Sequence, residues 1–391
     1  MRLERGDAVG LARALVRVDT RNPSLVPGGP GEAEAARLLA GVLEAWGLAV
    51  EVQEAAPGRP NVIARAGTPG ERSLLFNGHL DVVGVDGMRH APFDAGERDG
   101  RLYGRGASDM KAGVAAMCAA AALAAADLTQ GELIVAAVAD EEFESRGTRA
   151  LLDRGVRAGA AIVTEPTGLA IMPAHRGFVW ATLTFHGRAA HGSRWELGVD
   201  AIRHAGLVLA ELDVLDAGAL ARHTHPLAGR ASLHASLVSG GTGMSTYPNR
   251  CELRIERRTV PGETPAQVMA ELEAACQRVR ARRPDLRVDT RLDLAQSPSD
   301  VPLDAPIVRA LREALDQQAI PIRTGGMSAW TDCALLNEAG VPAICFGPGD
   351  IALAHSDEEF VDIEEIPRAA AVLERLARGW CGMGMESLWR R

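Results

Sequence analysis

Lysine is almost missing from this 391-residue chain: of 42 basic residues only Lys111 is a lysine. With every other basic position an arginine, the skew reads as genomic composition bias rather than chemistry. Aromatic residues are scarce at 4%, yet 47% of the chain is hydrophobic, enough for a large core and more than one domain. No run of about 18 uninterrupted apolar residues is present. The alanine-rich stretch near residues 112–126 is too short to span a bilayer and reads as a packed helix, so no membrane partner is expected. Met1-Arg2-Leu3-Glu4-Arg5-Gly6-Asp7 lacks the apolar core of a signal peptide, which points to the cytoplasm. Paired Cys-x-x-Cys motifs are absent. The six cysteines, Cys118, Cys251, Cys276, Cys333, Cys345 and Cys381, are widely spaced in mostly apolar surroundings and are expected to be free, buried thiols. No basic stripe interleaves with aromatics, and a net charge of -9 argues against nucleic acid as a partner. There is no repeat of fixed period and no low-complexity tract beyond alanine-rich helices.

What is present begins with Gly78-His79-Leu80-Asp81 after the apolar run Leu74-Leu75-Phe76. In a strand His79 and Asp81 project to the same side, and a carboxylate beside an imidazole that binds metal fixes its tautomer and raises its basicity. Acidic partners follow at the ends of later apolar runs, where the loops of an open α/β sheet carry chemistry. Asp109 lies in a glycine-rich turn that opens an alanine-rich helix. Asp140-Glu141-Glu142 follows the buried-strand pattern Glu132–Ala139, Glu165 follows Ala160–Thr164, and His355 comes soon after Ala343–Gly349.

In order, GHLDVV, GRGASDMKAG, DEEFESRGT, TEPT, AAHGS, ERRTVPGE, TDCALLNEAGVPAICFGPGD and AHSDEEFV resemble the motifs of the zinc-dependent metallopeptidase family. That family includes acetylornithine deacetylase, succinyl-diaminopimelate desuccinylase, the aminoacylases and carboxypeptidase G. The resemblance runs from about residue 10 to 380 and is strongest to the acetylornithine deacetylase and desuccinylase-like branch. It implies one zinc on His79 and Glu165, a second on Glu142 and His355, and Asp109 bridging the two. Nitrogen and oxygen donors suit zinc, and cobalt or manganese fits the same set. The three ligand carboxylates with Glu141 carry four negative charges, which balance two divalent cations. Paired metals can hold a water as hydroxide and polarise a carbonyl oxygen. Glu141 is then the general base and proton donor to the leaving amine, and Asp81 orients His79. The resemblance also implies a cis peptide after Asp109, rare for a bond not involving proline.

The alternation of helix and strand signals from a helix near Gly31–Trp46 through strands at Ala49–Gln53, Asn61–Ala66 and Ser73–Asn77 predicts an α/β fold, a mostly parallel sheet flanked by helices, and the resemblance implies that this is the di-zinc catalytic domain. The pattern changes near Arg176. Strand Phe178–Phe185, helix Val199–Leu212, strands Ala231–Val238 and Cys251–Arg257, helix Pro265–Arg283 and strand Leu286–Leu292 follow a β-α-β-β-α-β order, a ferredoxin-like α+β insertion. The catalytic domain is thus expected at residues 1–175 and 294–391, with a lid and dimerisation domain at 176–293.

In the insertion, His191 of AAHGS resembles the family histidine that stabilises the oxyanion and, in dimeric members, reaches into the partner's site, which implies a homodimer. Arg258 matches the arginine that binds the substrate's free carboxylate, and Asn249 lies where a supporting donor is expected. Adjacent Arg257 leaves the choice of anchor open. Glu256 and Asp200 stand where the family usually has aspartate and often has asparagine. Glutamate at 165, where dipeptidase and aminopeptidase branches tend to carry aspartate, favours a deacylase of N-acyl amino acids, with N-acetylornithine first and N-succinyl-diaminopimelate second. A carboxypeptidase or dipeptidase acting on short peptides is the competing reading, and a silent binder of acyl amino acids is the reading of a different class.

Overall fold

Strands Glu132–Val138, Leu74–His79, Ala160–Val163 and Ala343–Cys345 lie side by side in that order and run parallel in a computed structural model that describes residues 3–69 and 72–382. Every residue in these four strands is buried. Parallel strands covered on both faces need apolar side chains in both directions, which is why each reads as an unbroken apolar run. Strands Arg59–Gly67 and Ala49–Ala56 extend one side and Ile171–His175 the other, all antiparallel. The mixed α/β sheet is therefore parallel through its middle and antiparallel at its margins.

This sheet belongs to one of two compact units, formed by the chain up to Pro173, by Val301–Gly325 and by the chain from Thr331 onward. Helix Ala112–Ala124 packs on its central strands, with helix Glu365–Cys381 against it. Apart from Leu123, every residue of the alanine-rich helix is buried. The stretch Ala107–Asp127 would be long and apolar enough to cross a bilayer, but 83% of its most apolar window lies inside the fold. Small side chains let the helix approach the sheet closely. A Cβ placed on Gly113 would lie 1.9 Å from the Thr164 carbonyl oxygen, so only glycine fits there. Helix Ala8–Val16, which no sequence signal marked, is capped by the Asp7 carboxylate on the Gly10 N–H at 2.8 Å. Seven of its nine residues are buried, with Val9 and Arg13, four apart, on the less covered side; the helix is shorter than the window over which a helical period is recognised.

The second unit comprises Ala174–Asp300 with Gly326–Trp330. Its four antiparallel strands lie in the order Ser232–Gly240, Arg250–Thr259, Gly177–His186, Arg287–Gln296. With helices Ala201–Leu215 and Pro265–Arg282 they follow the chain order and strand order of a ferredoxin-like fold. Leu183, Phe185, Val208, Leu253, Leu272 and Val279 are among its core residues. The helix expected from Val199 starts instead at Ala201, because Asp200 is its cap and accepts the Arg203 N–H at 2.9 Å. Aspartate and asparagine cap equally well, which accounts for either at this position. Thr264 and Gln267 form a capping box at the other helix.

All six cysteines are free and buried. Cys333 and Cys345 are neighbours, with sulfurs 3.4 Å apart.

Candidate metal centre

His79 ends one parallel strand, and the next residues to matter follow the ends of two others. After Val138 the chain turns through Asp140, whose φ of 66° lies in the left-handed region that aspartate tolerates better than most residues. The turn presents Glu141 and Glu142. Glu165 follows the strand Ala160–Val163. Asp109 comes from the bend before helix Ala112–Ala124, and its peptide bond to Met110 is cis. His355 arrives from the loop after Ala343–Cys345 with a φ of 60°.

These residues meet in two triads that share Asp109. His79, Asp109 and Glu165 form one and Asp109, Glu142 and His355 the other, with one donor atom per residue and all atoms of a triad within 4.8 Å of one another. Asp109 Oδ1 lies 3.1 Å from His79 Nε2, and Asp109 Oδ2 lies 3.4 Å from His355 Nε2. Glu142 approaches His355 Nε2 to 3.1 Å. Glu141 stands beside the first triad, with Oε2 3.9 Å from His79 Nε2.

Asp81 acts differently from the sequence expectation. The group that engages His79 Nδ1 is the Asp81 backbone carbonyl, at 2.9 Å, while its carboxylate is 3.7 Å away. Nδ1 donating to that carbonyl turns Nε2 toward the triad, where it could bind a cation once deprotonated. The carboxylate instead accepts the N–H groups of Glu141 at 3.1 Å and Glu142 at 3.2 Å, and the Asn22 amide at 2.8 Å. It therefore fixes the loop that carries the two glutamates. Asn22 also donates to Asp140 at 3.1 Å, and Asp140 pairs with Arg59 at 3.1 Å, itself paired with buried Glu32 at 2.5 Å.

Two further residues bear on the site: Glu359, which the sequence reading did not mark, and Lys111, which lies inside the motif without being a ligand. Glu359 is fully buried and accepts from the N–H groups of Gly106, Ser108 and Asp109, each at 3.0 Å, and from Arg105 at 2.7 Å. It ties the Asp109 bend into place. Its sequence signal was slight: the acidic residue directly before Phe360 in a segment that also supplies His355. Lys111 is buried and donates to the Val18 carbonyl at 2.8 Å. Burial pulls its ammonium down to about 7.

The electrostatics fit a cation pair. Burial pushes Glu141 and Glu165 well above the usual carboxylate range and raises Glu142 less strongly, with the histidines opposing the rise. Burial also works against a charged His79 and His355, but their hydrogen bonds to Asp109, joined for His355 by Glu142, outweigh it. His79 is held well above its ordinary value and His355 at about 10. Burial of Asp109 is outweighed by its bonds to His355 and His79, so its carboxylate is held low. A buried cluster of carboxylates and imidazoles with this bias is one that divalent cations would neutralise. Imidazole nitrogen and carboxylate oxygen are donors suited to zinc and its neighbours.

His191, Arg258 and Asn249 lie in the second unit. His191 is exposed after strand Gly177–His186, with Nδ1 2.8 Å from Ser193 Oγ. Asn249 is exposed before strand Arg250–Thr259, and its carbonyl accepts the Gly187 N–H at 2.8 Å. The two neighbouring arginines differ. The Arg257 side chain is 0% exposed and is committed to Glu263 and, at 3.2 Å, to Glu271. Arg258 is 33% exposed, with Nε 2.5 Å from Glu256, so only Arg258 is accessible to a ligand.

The sequence model of peptidase family M20/M25/M40 matches residues 75–379. An acetylornithine deacetylase from Myxococcus xanthus is 32% identical over 352 residues, covering 87% of this chain and 90% of that protein. An N-formyl-4-amino-5-aminomethyl-2-methylpyrimidine deformylase from Bacillus subtilis is 30% identical over 382 residues, covering 89% of each. Among solved structures, a dinuclear metal binding peptidase of the M20 family from Bacillus subtilis superposes with a TM-score of 0.73 at 16% identity, covering 95% of this chain and 96% of that one. At that identity the likeness speaks for the fold alone.

Proposed function

Because the chain belongs to peptidase family M20/M25/M40 and is a hydrolase of that family, we propose that it removes the acyl group from N-acyl amino acids with the help of two divalent cations. The observation that carries this reading is Asp109, one oxygen facing each triad, with Glu141 beside them. His79, Asp109 and Glu165 would hold one cation and Asp109, Glu142 and His355 the other, zinc by preference and cobalt or manganese as substitutes. When bound, the pair supplies positive charge that polarises the scissile carbonyl and acidifies an attacking water.

The remaining steps belong to the chain's own residues. A Glu141 carboxylate oxygen takes the proton of the attacking water and returns it to the leaving amine nitrogen, a role its burial favours by raising its proton affinity. Asp81 holds the Glu141-Glu142 loop through two N–H groups. Arg258 holds the free carboxylate of the amino acid, with Asn249 as supporting donor, and His191 donates to the developing oxyanion. The deacetylase and deformylase relatives support amide substrates with a small acyl group, and N-acetylornithine leads the candidates over N-succinyl-diaminopimelate.

A homodimer through the second unit fits the same reading. Strand Ser232–Gly240 pairs on one side only, and Leu237 at 62% and Val238 at 68% exposure stand on it beside Ile202 and Leu209 of helix Ala201–Leu215. A second copy meeting this edge about a two-fold axis would continue the sheet and cover the apolar row.

The deciding experiment is turnover of N-acetyl, N-succinyl and N-formyl amino acids beside dipeptides, with zinc added and with chelator as control. Chelator-sensitive release of free amino acid from one acyl class is expected. Cleavage of dipeptides alone would place the enzyme among the peptidases instead, and silence across the panel with two metals bound would favour a binding protein.

A further inference from the structure

Few aromatic residues are available to this chain, yet three of them gather in the second unit around Arg258. The helices cover one face of its four-stranded sheet, where Val179, Ala181 and Leu183 are buried. Alternation sends Phe178 and Trp180 to the opposite face. Their ring centroids are 5.1 Å apart at 36°, and Trp180 remains 41% exposed. Across the strand pair, Arg258 stands opposite Phe178 and Glu256 opposite Trp180. The Arg258 guanidinium carbon lies 5.4 Å from the centre of the Phe178 ring, while Glu256 engages its Nε. Trp330 closes the block from below, edge-on to Phe178 at 6.5 Å and 85° and tied by its indole N–H to the Ser297 carbonyl at 3.0 Å.

Beside this block is a cavity of about 470 Å³ walled by Trp180, Leu237, Arg254, Glu256 and Arg291. Arg254 is exposed and makes no ion pair or hydrogen bond among the described residues. An indole left half in water next to a fixed guanidinium is a recognition surface in kind: a flat apolar wall with cations at its margin.

We propose that Phe178 and Trp180 form the specificity wall of the substrate site, taking the flat aromatic ring of a substrate whose carboxylate Arg258 holds. The preferred substrates are then N-acyl amino acids with aromatic side chains, in place of the N-acetylornithine to which relatedness alone points. The inference rests on the role given to Arg258 under the proposed function. A ring stacked on Trp180 gains both burial and offset-stacking attraction that an aliphatic side chain of equal length lacks.

The test compares kcat/KM for N-acetylphenylalanine and N-acetylnorleucine in the zinc-loaded enzyme and in Trp180→Ala and Trp180→Phe. The aromatic-to-aliphatic ratio should fall about tenfold in Trp180→Ala and recover in Trp180→Phe. A ratio the same in all three proteins would overturn the proposal, as would an equal fall on both substrates, which marks a structural role alone. If no N-acyl amino acid is turned over, the proposed activity fails, and the wall is read by isothermal titration calorimetry of phenylacetate into the zinc-loaded protein. Saturable binding that Trp180→Ala removes supports the wall, and its absence sinks it.

Discussion

The Asp109 carboxylate lies between two imidazoles, Oδ1 3.1 Å from His79 Nε2 and Oδ2 3.4 Å from His355 Nε2. A group shared in this way couples the two triads. Asp109→Ala should therefore lose both cations together, whereas Glu165→Gln should lose chiefly one. Metal content by mass spectrometry after dialysis separates the cases, and one retained cation in Asp109→Ala would count against a bridge.

Glu141 sits beside the first triad without belonging to either. Glu141→Gln should keep both metals and lose about 100- to 10,000-fold in kcat, the range typical of a missing general acid or base. Normal turnover would remove Glu141 from proton transfer.

Glu359 touches no ligand atom directly, yet it receives three backbone N–H groups of the Asp109 bend. Glu359→Ala leaves Arg105 buried without its partner and should cost about 3–5 kcal/mol in denaturant unfolding. Metal affinity should also fall, by roughly 10- to 100-fold as for other residues that support ligands from behind. A large stability loss with unchanged metal affinity would show that the bend holds itself.

Arg257 and Arg258 are adjacent in sequence and opposite in consequence. Arg257→Met takes the guanidinium from buried Glu263, which keeps the Val260 N–H at 2.8 Å and His223 at 3.0 Å, and should destabilise the protein by about 3 kcal/mol, the lower end for a broken buried pair. Arg258→Met should leave the unfolding midpoint nearly unmoved and raise KM for carboxylate substrates by roughly 10- to 100-fold, the worth of a hydrogen bond to a charged group. Exchange of the two phenotypes would reassign the anchor.

Acidity should act in opposite directions on the loaded and stripped protein. Without metal, the folded state holds extra protons on Glu141, Glu142 and Glu165, raised above 4.5, and on His79 and His355, raised above 6.5 and in the second case to about 10. Stability from such groups is complete below their unfolded values and drains away as pH climbs through the folded ones. Bound cations require the same groups deprotonated, so their contribution grows with pH. The gap in Tm between metal-loaded and chelated protein should widen from about pH 6 to about pH 9; a constant gap would mean that metal and protons do not compete.

How legible this arrangement was in the sequence depended on where each residue stood. His79, Glu142 and Glu165 each follow an apolar strand closely, so the strand ends announced them, and the ordered motifs brought in Asp109 and His355. The ferredoxin-like order of the second unit was readable because its strands alternate and its helices carry caps such as Thr264. What could not be read were partnerships between distant loops. Nothing local tells that Asp81 serves the N–H groups of Glu141 and Glu142 rather than the His79 ring, that Asn22 joins Asp81 to Asp140, or that Glu359 reaches back to Gly106–Asp109. Helix Ala8–Val16 was invisible for another reason: at nine residues it is shorter than the stretch over which a helical period can be recognised.

One consequence of the alanine-rich helix reaches the chemistry. Gly113 rests against the carbonyl of Thr164, and the next residue along the chain is Glu165. The helix works as a spacer gauge, setting the depth at which that strand end stops. A single methyl group added at 113 would displace the backbone that delivers a candidate ligand carboxylate, so the tolerance of the candidate metal centre is cut by a residue that offers no donor atom to it.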